Sequence, residues 1–186
     1  MVARAQSVAE TRQRVLEAAL ELFGQRPYDL VALGDVAERS GIGLATILRQ
    51  FESKEQLFAA AIDNGRAEFD TSMDAASAND PAAVVRTLAA NYERFGDAIV
   101  RLIEQEERLP AARAAIAHGR EVHAALVDRL FAATLAPLRA RERKLRRAQL
   151  LAATDLQFWR SLRHQAGLDR RDAEAALAQV RTALCR

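Results

Sequence analysis

The sequence predicts an all-α fold of about nine helices, and three observations support this prediction. Half of the 186 residues are apolar but only 5% are aromatic, and the chain contains 8 Gly and 4 Pro, a composition that favours helices. Apolar residues recur at helical spacing along most of the chain. The interruptions are short clusters of Gly, Pro and Asp, which end helices or begin them. We expect no β-sheet.

Composition also limits the class of protein. The 27 Lys and Arg against 25 Asp and Glu give a net charge of +2, too small for a bulk nucleic-acid coat. The single cysteine, Cys185, excludes a disulfide within one chain and fits a reducing cytoplasm. No apolar run approaches the about 18 residues of a membrane span, and residues 1–10 lack a signal-peptide core. We therefore expect a soluble cytoplasmic protein with no membrane partner.

The first helix is expected from Glu10 to Phe23, where apolar residues repeat at helical spacing and Thr11 can cap the start. Residues 1–9 are expected to form a flexible arm. Three basic side chains of this stretch are candidates for phosphate contacts: Arg4, Arg12 and Arg14. Solvated charges on an amphipathic helix are the alternative.

The stretch Leu33–Phe51 has the pattern of two short amphipathic helices around a tight corner. Gly41 lies just past the first helix, where a left-handed residue is needed and a Cβ would be penalised. Ala37 is small where the helices approach, and Ile42 fills the corner. This is a helix-turn-helix pattern, although a plain helical corner inside an all-α core produces it as well.

In this pattern Val36, Ile47 and Phe51 point inward, which leaves the other side of the second helix free to enter a DNA major groove. The candidate DNA-binding residues on or near that side are Gly43, Leu44, Ala45, Thr46, Arg49 and Gln50. Among them Thr46, Arg49 and Gln50 carry polar groups that would approach bases or phosphates.

A further helix is expected from Ser53 to Ala76, because Ser53 and Gln56 have capping-box spacing. Lys54, beside the positive end of the helix dipole, suits a phosphate; an ordinary exposed lysine is the alternative. Residues 1–60 hold seven basic and eight acidic side chains, so DNA affinity must come from local placement of charge.

The remaining chain also reads as helical. Asn79-Asp80-Pro81 is a turn in which Asp80 caps a new helix and Pro81 takes its first position. Helices are expected over residues 81–95, 98–108, 110–135, 141–165 and 170–184. The breaks between them are Gly96-Asp97, Leu109-Pro110, Ala136-Pro137 and Gly167-Leu168-Asp169.

Residues from about 10 to 62 resemble the TetR (tetracycline repressor-like) family of transcriptional regulators. The matching residues are Leu22-Phe23-Gly24, Tyr28 to Leu30, Asp35 to Ile42, Thr46, Phe51, Ser53-Lys54-Glu55 and Leu57. The resemblance implies a DNA-binding domain at residues 1–55 and a helical effector-binding and dimerisation domain at 56–186. The chain departs from the usual family pattern at Val31, Ala32, Gly43, Leu44 and Leu48, which removes capping groups and a hydroxyl that contacts phosphate.

The resemblance also implies that the last two long helices form a dimer interface, and Ala-rich faces there allow close packing. The candidate interface residues are Ala148, Ala152, Leu162, Ala173, Leu177, Val180 and Leu184. An intramolecular core would produce the same pattern. A reader of palindromic half-sites needs a two-fold partner, which favours a homodimer.

The middle helices, by the same resemblance, enclose a pocket for a small-molecule effector. The candidate ligand-binding residues are Phe69, Met73, Tyr92, Phe95, Leu102, Glu104, Asp155, Phe158 and Trp159. Asp155 interrupts an apolar stripe, where a buried carboxylate is costly without a partner. Its alternative is a surface salt bridge to an arginine, and the alternative for the aromatic stripe is ordinary core.

No catalytic or metal-binding constellation is evident. His118 and His123 are five residues apart, which does not stack them on one helix face for metal ligation. No phosphate loop or nucleophile elbow occurs. Residues 139–147 hold six basic side chains and one acidic side chain. This charge could contact nucleic acid or an anionic surface, but a solvated loop and helix start is the simpler interpretation. We expect no enzyme, cofactor or metal.

The sequence therefore predicts a dimeric repressor that a small apolar or amphipathic ligand releases from a double-stranded, palindromic operator. The alternative is a helical ligand-binding or protein-interaction module that no longer reads DNA. Leu44, Leu48 and the missing capping hydroxyls favour this alternative.

Overall fold

The computed structural model describes the backbone of residues 2–75 and 81–185 and the side chains of residues 6–74 and 82–185. Within those ranges every regular element is helical, so the predicted all-α fold is confirmed. The ten α-helices of the described ranges are α1 (Val2–Gln25), α2 (Leu33–Ser40), α3 (Leu44–Phe51), α4 (Lys54–Ala75), α5 (Pro81–Glu104), α6 (Pro110–Leu130), α7 (Ala132–Leu135), α8 (Ala140–Ala153), α9 (Leu156–Arg160) and α10 (Arg170–Leu184). A 3-10 turn spans Tyr28–Leu30, and a π-helical turn spans Ser161–Gln165.

The N-terminal arm is wrong as a prediction. Helix α1 already begins at Val2, so residues 2–9 continue the helix that the sequence placed from Glu10. Thr11 is an interior residue, and its hydroxyl donates to the carbonyl oxygen of Ser7 at 2.7 Å instead of capping a helix start. Residues 2–9 hold only two large apolar side chains, Val2 and Val8, and these do not repeat at helical spacing, which is why periodicity alone missed this part of the helix.

Other helix boundaries also differ from the prediction. Gly96-Asp97 is not a break, because α5 runs unbroken from Pro81 to Glu104. Gly96 is instead a point of close approach: a Cβ there would lie 3.1 Å from Leu156 Cδ1. One glycine costs a helix only about 1 kcal/mol, which packing can offset.

The helix expected over 141–165 is interrupted at Thr154 and Asp155. Asp155 has extended backbone angles, and its Oδ1 accepts from the backbone N–H of Gln157 at 2.7 Å, which begins α9. The helix expected over 110–135 likewise breaks at Phe131. The breaks at Pro110, at Ala136-Pro137 and at Gly167 are confirmed.

Helix α5 begins at Pro81 as predicted, and the capping role of Asp80 lies outside the described residues. The cap of α4 is confirmed in part. The Ser53 hydroxyl accepts from the Gln56 backbone N–H at 3.1 Å, but the Gln56 amide donates to Glu52 Oε2 instead of closing the box.

The chain divides into two compact units. The first unit comprises Met1–Asp70 and Asp97–Ile116, and the second comprises Thr71–Gly96 and Ala117–Arg186. These units are defined by packing and not by function. The division into a DNA-binding domain at residues 1–55 and an effector-binding and dimerisation domain at residues 56–186 stays a prediction.

The core of the first unit is one apolar cluster, built mainly from α1 to α4. Its buried members are Val15, Leu16, Ala18, Ala19, Leu22, Phe23, Val31, Val36, Ile47, Phe51, Leu57, Phe58, Ala61, Ile62 and Ala112. An aromatic trio lies at its edge: the ring of Phe58 meets those of Phe23 and Tyr28 edge-on, with centroids 4.9 and 5.0 Å away. This core fixes the positions of the two short helices α2 and α3.

The second unit contains at least two apolar clusters. One centres on Trp159 with Val85, Ala89, Ala173 and Leu177. The other consists of Val127, Phe131, Leu135 and Leu150. Neither cluster includes a residue from α1 to α3.

Candidate nucleic-acid interface

The corner between α2 and α3 has the backbone geometry that the sequence predicts. Gly41 lies in the left-handed region with φ 68° and ψ 23°. Its N–H donates to the carbonyl of Glu38, and the N–H of Ile42 donates to that of Ala37 at 3.2 Å. These two bonds form a Schellman motif, which ends α2 and directs the chain into α3. Ile42 packs against the core of the first unit, as expected.

Helix α1 holds this corner in place through two side chains. Arg14 Nη2 donates to the carbonyl oxygen of Ser40 at 2.6 Å, at the negative end of α2. Arg39, on α2, forms an ion pair with Glu21, in which Arg39 Nε donates to Glu21 Oε2 at 3.0 Å. That guanidinium lowers the pKa of the Glu21 carboxyl. Arg14, considered above as a phosphate contact, is thus engaged within the protein.

Helix α3 has one buried side and one exposed side. Ile47 is 0% exposed and Phe51 is 3% exposed. With about 100° of rotation per residue, Ala45 and Arg49 point most directly away from that buried side, and both are exposed. Arg49 makes no hydrogen bond or ion pair with any residue that the structure describes.

The flanks of the exposed side differ in character. Leu44 and Leu48 lie on one flank and are 43% and 44% exposed. Thr46 and Gln50 lie on the other and are half-buried. The Gln50 Oε1 atom is buried and has no hydrogen-bond partner within the described part of the chain. Gln50 is therefore less available for base contacts than its position in the sequence indicates.

The start of α3 lacks a side-chain cap. Gly43 precedes the helix with φ −59° and ψ 138°, angles that any residue can adopt, and a Cβ at this position would meet nothing within 4 Å. The end of α3 is strained. Glu52 has φ 55° and ψ −37°, and the Ser53 N–H donates to the Phe51 carbonyl across it, which is a γ-turn.

Two of the predicted phosphate contacts lie over aromatic rings. The guanidinium carbon of Arg12 is 4.5 Å from the ring centroid of Phe51, and Lys54 Nζ is 4.2 Å from that of Tyr28. Cation–π contacts of this kind hold a charge in place without neutralising it. The side chain of Arg4 lies outside the described residues.

A set of polar contacts to the end of α1 and the 3-10 turn was not found from the sequence. Arg101 Nε donates to the Gly24 carbonyl at 2.8 Å. Gln105 Oε1 accepts from the Tyr28 backbone N–H at 3.3 Å, and Arg108 pairs with Asp29 at 2.8 Å. The partners are separated by about 80 positions, and no local pattern indicates such pairing.

The predicted ligand-binding residues fall in both units, and some have structural roles. Leu102 packs against the core of the first unit, and Glu104 is exposed there. Phe69 also belongs to the first unit. Met73, Tyr92, Phe95, Asp155, Phe158 and Trp159 belong to the second unit.

Asp155 has a structural role that its sequence context does not predict, since its Oδ1 caps α9. Trp159 is 2% exposed, and its Nε1 donates to Glu93 Oε1 at 2.9 Å. Arg163 Nε pairs with the same carboxylate at 2.8 Å and lowers the pKa of Glu93. The indole N–H is thus already engaged within the chain.

A buried polar cluster surrounds the break between α8 and α9. The Tyr92 hydroxyl donates to the Thr154 carbonyl at 3.0 Å, and the Thr154 hydroxyl donates to the Leu150 carbonyl at 2.8 Å. His123 Nε2 lies 2.8 Å from Thr154 Oγ1. Thr154 Oγ1 thus lies between the Leu150 carbonyl oxygen and the His123 imidazole.

The environment of this cluster shifts two pKa values. Burial lowers the pKa of the His123 imidazole, against the opposing charge of Asp155. Burial, and then the same carboxylate, raises the pKa of the Tyr92 phenol. Both side chains therefore stay neutral near pH 7.

Part of the predicted dimer interface must be corrected. Ala173 and Leu177 are 0% and 2% exposed within a single chain, where they pack in the Trp159 cluster. Their side chains therefore cannot line a subunit surface in this arrangement. Ala148 and Ala152 are exposed; Leu162, Val180 and Leu184 are partly buried.

No described helix is long and apolar enough to cross a membrane. No group of three or more His, Cys, Asp and Glu side chains in residues 2–75 and 81–185 is placed to hold a metal ion.

Comparison with known proteins gives relatives for the corner and for the whole fold. Residues 15–61 match the model described as bacterial regulatory proteins, tetR family. The HTH-type transcriptional regulator AcrR of Shigella flexneri is 30% identical over 86 residues, which are 45% of this chain and 40% of that protein. The HTH-type transcriptional repressor KstR of Rhodococcus jostii (strain RHA1) is 27% identical over 151 residues, which are 77% of this chain and 68% of that protein.

A solved structure of a tetR-family transcriptional regulator from Streptomyces coelicolor is similar with a TM-score of 0.69. The match has 19% sequence identity and covers 95% of this chain and 80% of that chain. At this identity the likeness shows a shared fold.

Proposed function

We propose that this chain is a transcriptional regulator of the tetR family of bacterial regulatory proteins, whose helix α3 reads the major groove of an operator. The outward side of α3 is the observation that carries the proposal. Arg49 projects from that side without a partner among the described residues, and arginine is the commonest side chain in specific contacts to guanine. The name of one relative, a transcriptional repressor, supports repression.

Phosphate contacts complete the proposed interface. Lys54 and Arg12 are held over aromatic rings, at the start of α4 and beside the end of α3. Because neither charge is paired with a carboxylate among the residues that the structure describes, each can neutralise one phosphate and release its counterions. Arg4, Gly43, Ala45 and Thr46 remain further candidates for backbone or base contacts.

We further propose a homodimer that binds a palindromic operator. The exposed Ala148 and Ala152 on α8, with the partly buried Val180 and Leu184 on α10, give small and apolar surface for a two-fold interface. Two copies of helix α3 that lie about one DNA helical turn apart, roughly 34 to 36 Å, match successive half-sites. A change of a few ångströms in that spacing would release the operator.

The effector is proposed to be a small apolar or amphipathic molecule bound in the second unit. The Tyr92, His123 and Thr154 cluster supplies polar groups beside the apolar Phe158 and Trp159. Ligands that raise the melting temperature should also lower operator affinity, because both effects follow from binding to one state. A ligand that stabilises the protein and leaves operator binding unchanged would contradict release.

DNA binding is tested by fluorescence anisotropy in rising salt with Arg49→Ala and a matched control. Arg66→Ala is the control, since Arg66 is an exposed arginine of α4 that pairs with Asp63 at 3.2 Å. Loss of one bidentate contact of about 1 to 3 kcal/mol in each of two half-sites removes at least about 2 kcal/mol, which predicts a complex at least about 30-fold weaker for Arg49→Ala. The control should bind like the wild type. Absence of specific binding by the wild type even at low salt would instead favour the helical module that does not read DNA.

A further inference from the structure

The reading helix carries an exposed apolar strip beside Arg49. Leu44 and Leu48 are 43% and 44% exposed, are spaced four residues apart, and lie on the same flank of α3. Ala45 is exposed next to them. The strip therefore borders the side of α3 that faces directly away from the core.

Leucine and alanine can discriminate between bases because their apolar side chains disfavour contact with polar base edges. Guanine, adenine and cytosine present hydrogen-bond donors and acceptors in the major groove, whereas thymine adds an apolar C5-methyl group. A leucine pressed against a polar edge removes water without supplying a hydrogen bond, which is unfavourable. Against a thymine methyl group the same contact buries apolar surface and is favourable.

The surrounding charges favour DNA as the occupant of this strip over an apolar protein surface. Arg49 lies on the same helix and has no partner among the residues described. Arg12 is 4.5 Å from the ring of Phe51, the last residue of α3, and Lys54 opens the next helix. An apolar strip bordered by three cations complements a groove with methyl groups on its floor and phosphates on its walls.

We infer that Leu44 and Leu48 are specificity-determining residues that read thymine methyl groups beside a base contacted by Arg49. The inference rests on the proposed function. Four residues of helix rise about 6 Å, and bases along one strand rise about 3.4 Å, so the two methyl groups lie one or two base pairs apart. Each operator half-site then contains two closely spaced thymines.

Replacing thymine by uracil tests this directly, because it removes only the methyl group. Purified full-length protein first selects its site from a random duplex pool, and each thymine of the selected site is then replaced singly. Uracil at the two read positions should weaken wild-type binding by about three- to tenfold. Elsewhere in the half-site the substitution should change affinity by less than twofold.

Variants assign each methyl group to a side chain. Leu48→Ala should lose sensitivity to uracil at one position and keep it at the other, and Leu44→Ala should show the reverse. Ile103→Ala, which truncates an apolar side chain 38% exposed on α5, is the control and should retain both effects. Circular dichroism checks that each variant folds.

The outcomes are distinguishable. A selected site with no uracil effect at any thymine, or with equal effects in wild type and both variants, would overturn the inference while leaving DNA binding intact. Association of the wild type beyond a dimer, lost in Leu48→Ala and without uracil effects, would assign the strip to protein contacts instead. Failure to select any site would remove the proposed function together with this inference.

Discussion

Gly41→Ala is the sharpest test of how the α2–α3 corner is built. The residue has φ 68°, a left-handed angle that glycine adopts freely and alanine does not. A Cβ at Gly41 would also lie 3.0 Å from Arg14 Nη2, the atom that donates to the Ser40 carbonyl at 2.6 Å. The substitution therefore strains the backbone and displaces a charged hydrogen bond.

The magnitude follows from these two effects. The left-handed conformation costs alanine about 1 to 2 kcal/mol. Weakening the bond from Arg14 adds a fraction of the roughly 1.5 to 3 kcal/mol assigned to hydrogen bonds of charged groups, since the site is only partly buried. Reduced freedom of the unfolded chain offsets about 0.4 to 1 kcal/mol. We expect the free energy of unfolding to fall by about 1 to 3 kcal/mol.

Gly34→Ala is the matched control. Gly34 is exposed within α2, has no positive φ, and a Cβ there would meet nothing within 4 Å. Alanine should stabilise this helix by roughly 0.5 to 1 kcal/mol. Urea unfolding followed by circular dichroism, at one protein concentration because a dimer unfolds by mass action, measures both changes. Equal stability of the two variants, or a more stable Gly41→Ala, would refute this account of the corner.

Two further predictions concern the second unit. Glu93→Ala should lower the free energy of unfolding by about 1 to 3 kcal/mol, because it leaves the buried Trp159 N–H unpaired. Urea unfolding measures this loss. Trp159→Phe should then destabilise the Glu93→Ala protein less than it destabilises the wild type. Because burial lowers the pKa of His123 below its usual 6.5, the unfolded chain binds the proton more readily, and stability contributed above about pH 6.5 is lost as the pH falls through that value. The loss can reach about 1.4 kcal/mol per pH unit. In thermal unfolding between pH 7.5 and 5, the melting temperature of His123→Gln should depend less on pH than that of the wild type. Equal pH dependence in the two proteins would argue against burial of a neutral imidazole.

The corner of the first unit could be predicted because its causes are local. Gly41 follows a short amphipathic helix, and the spacing of Val36, Ile47 and Phe51 identifies the buried side. Backbone rules and periodicity are enough to fix such a turn. The same rules failed at Gly96, where close packing against Leu156 retains a glycine within a helix.

Contacts between residues far apart in sequence could not be predicted. Nothing near Arg14 indicates that it binds the Ser40 carbonyl, and nothing near Gln105 indicates its bond to Tyr28. The helix break at Asp155 could not be predicted either. A carboxylate within an apolar stripe is equally consistent with a ligand-binding residue and with a helix N-cap, and Asp155 is the N-cap of α9. Small residues likewise do not distinguish a core from an interface, and Ala173 proved to be core.

Selection of DNA from a random duplex pool, followed by footprinting, tests the central claim most directly. If the exposed side of α3 reads the groove in a two-fold dimer, the wild type should enrich a palindrome whose half-site centres are about one helical turn, or a multiple of it, apart. Arg49→Ala should enrich the same sequence weakly or lose preference at one base pair of each half-site. Recovery of no sequence above the starting pool by a folded wild type, or of the same site with equal preference by Arg49→Ala, would contradict the account.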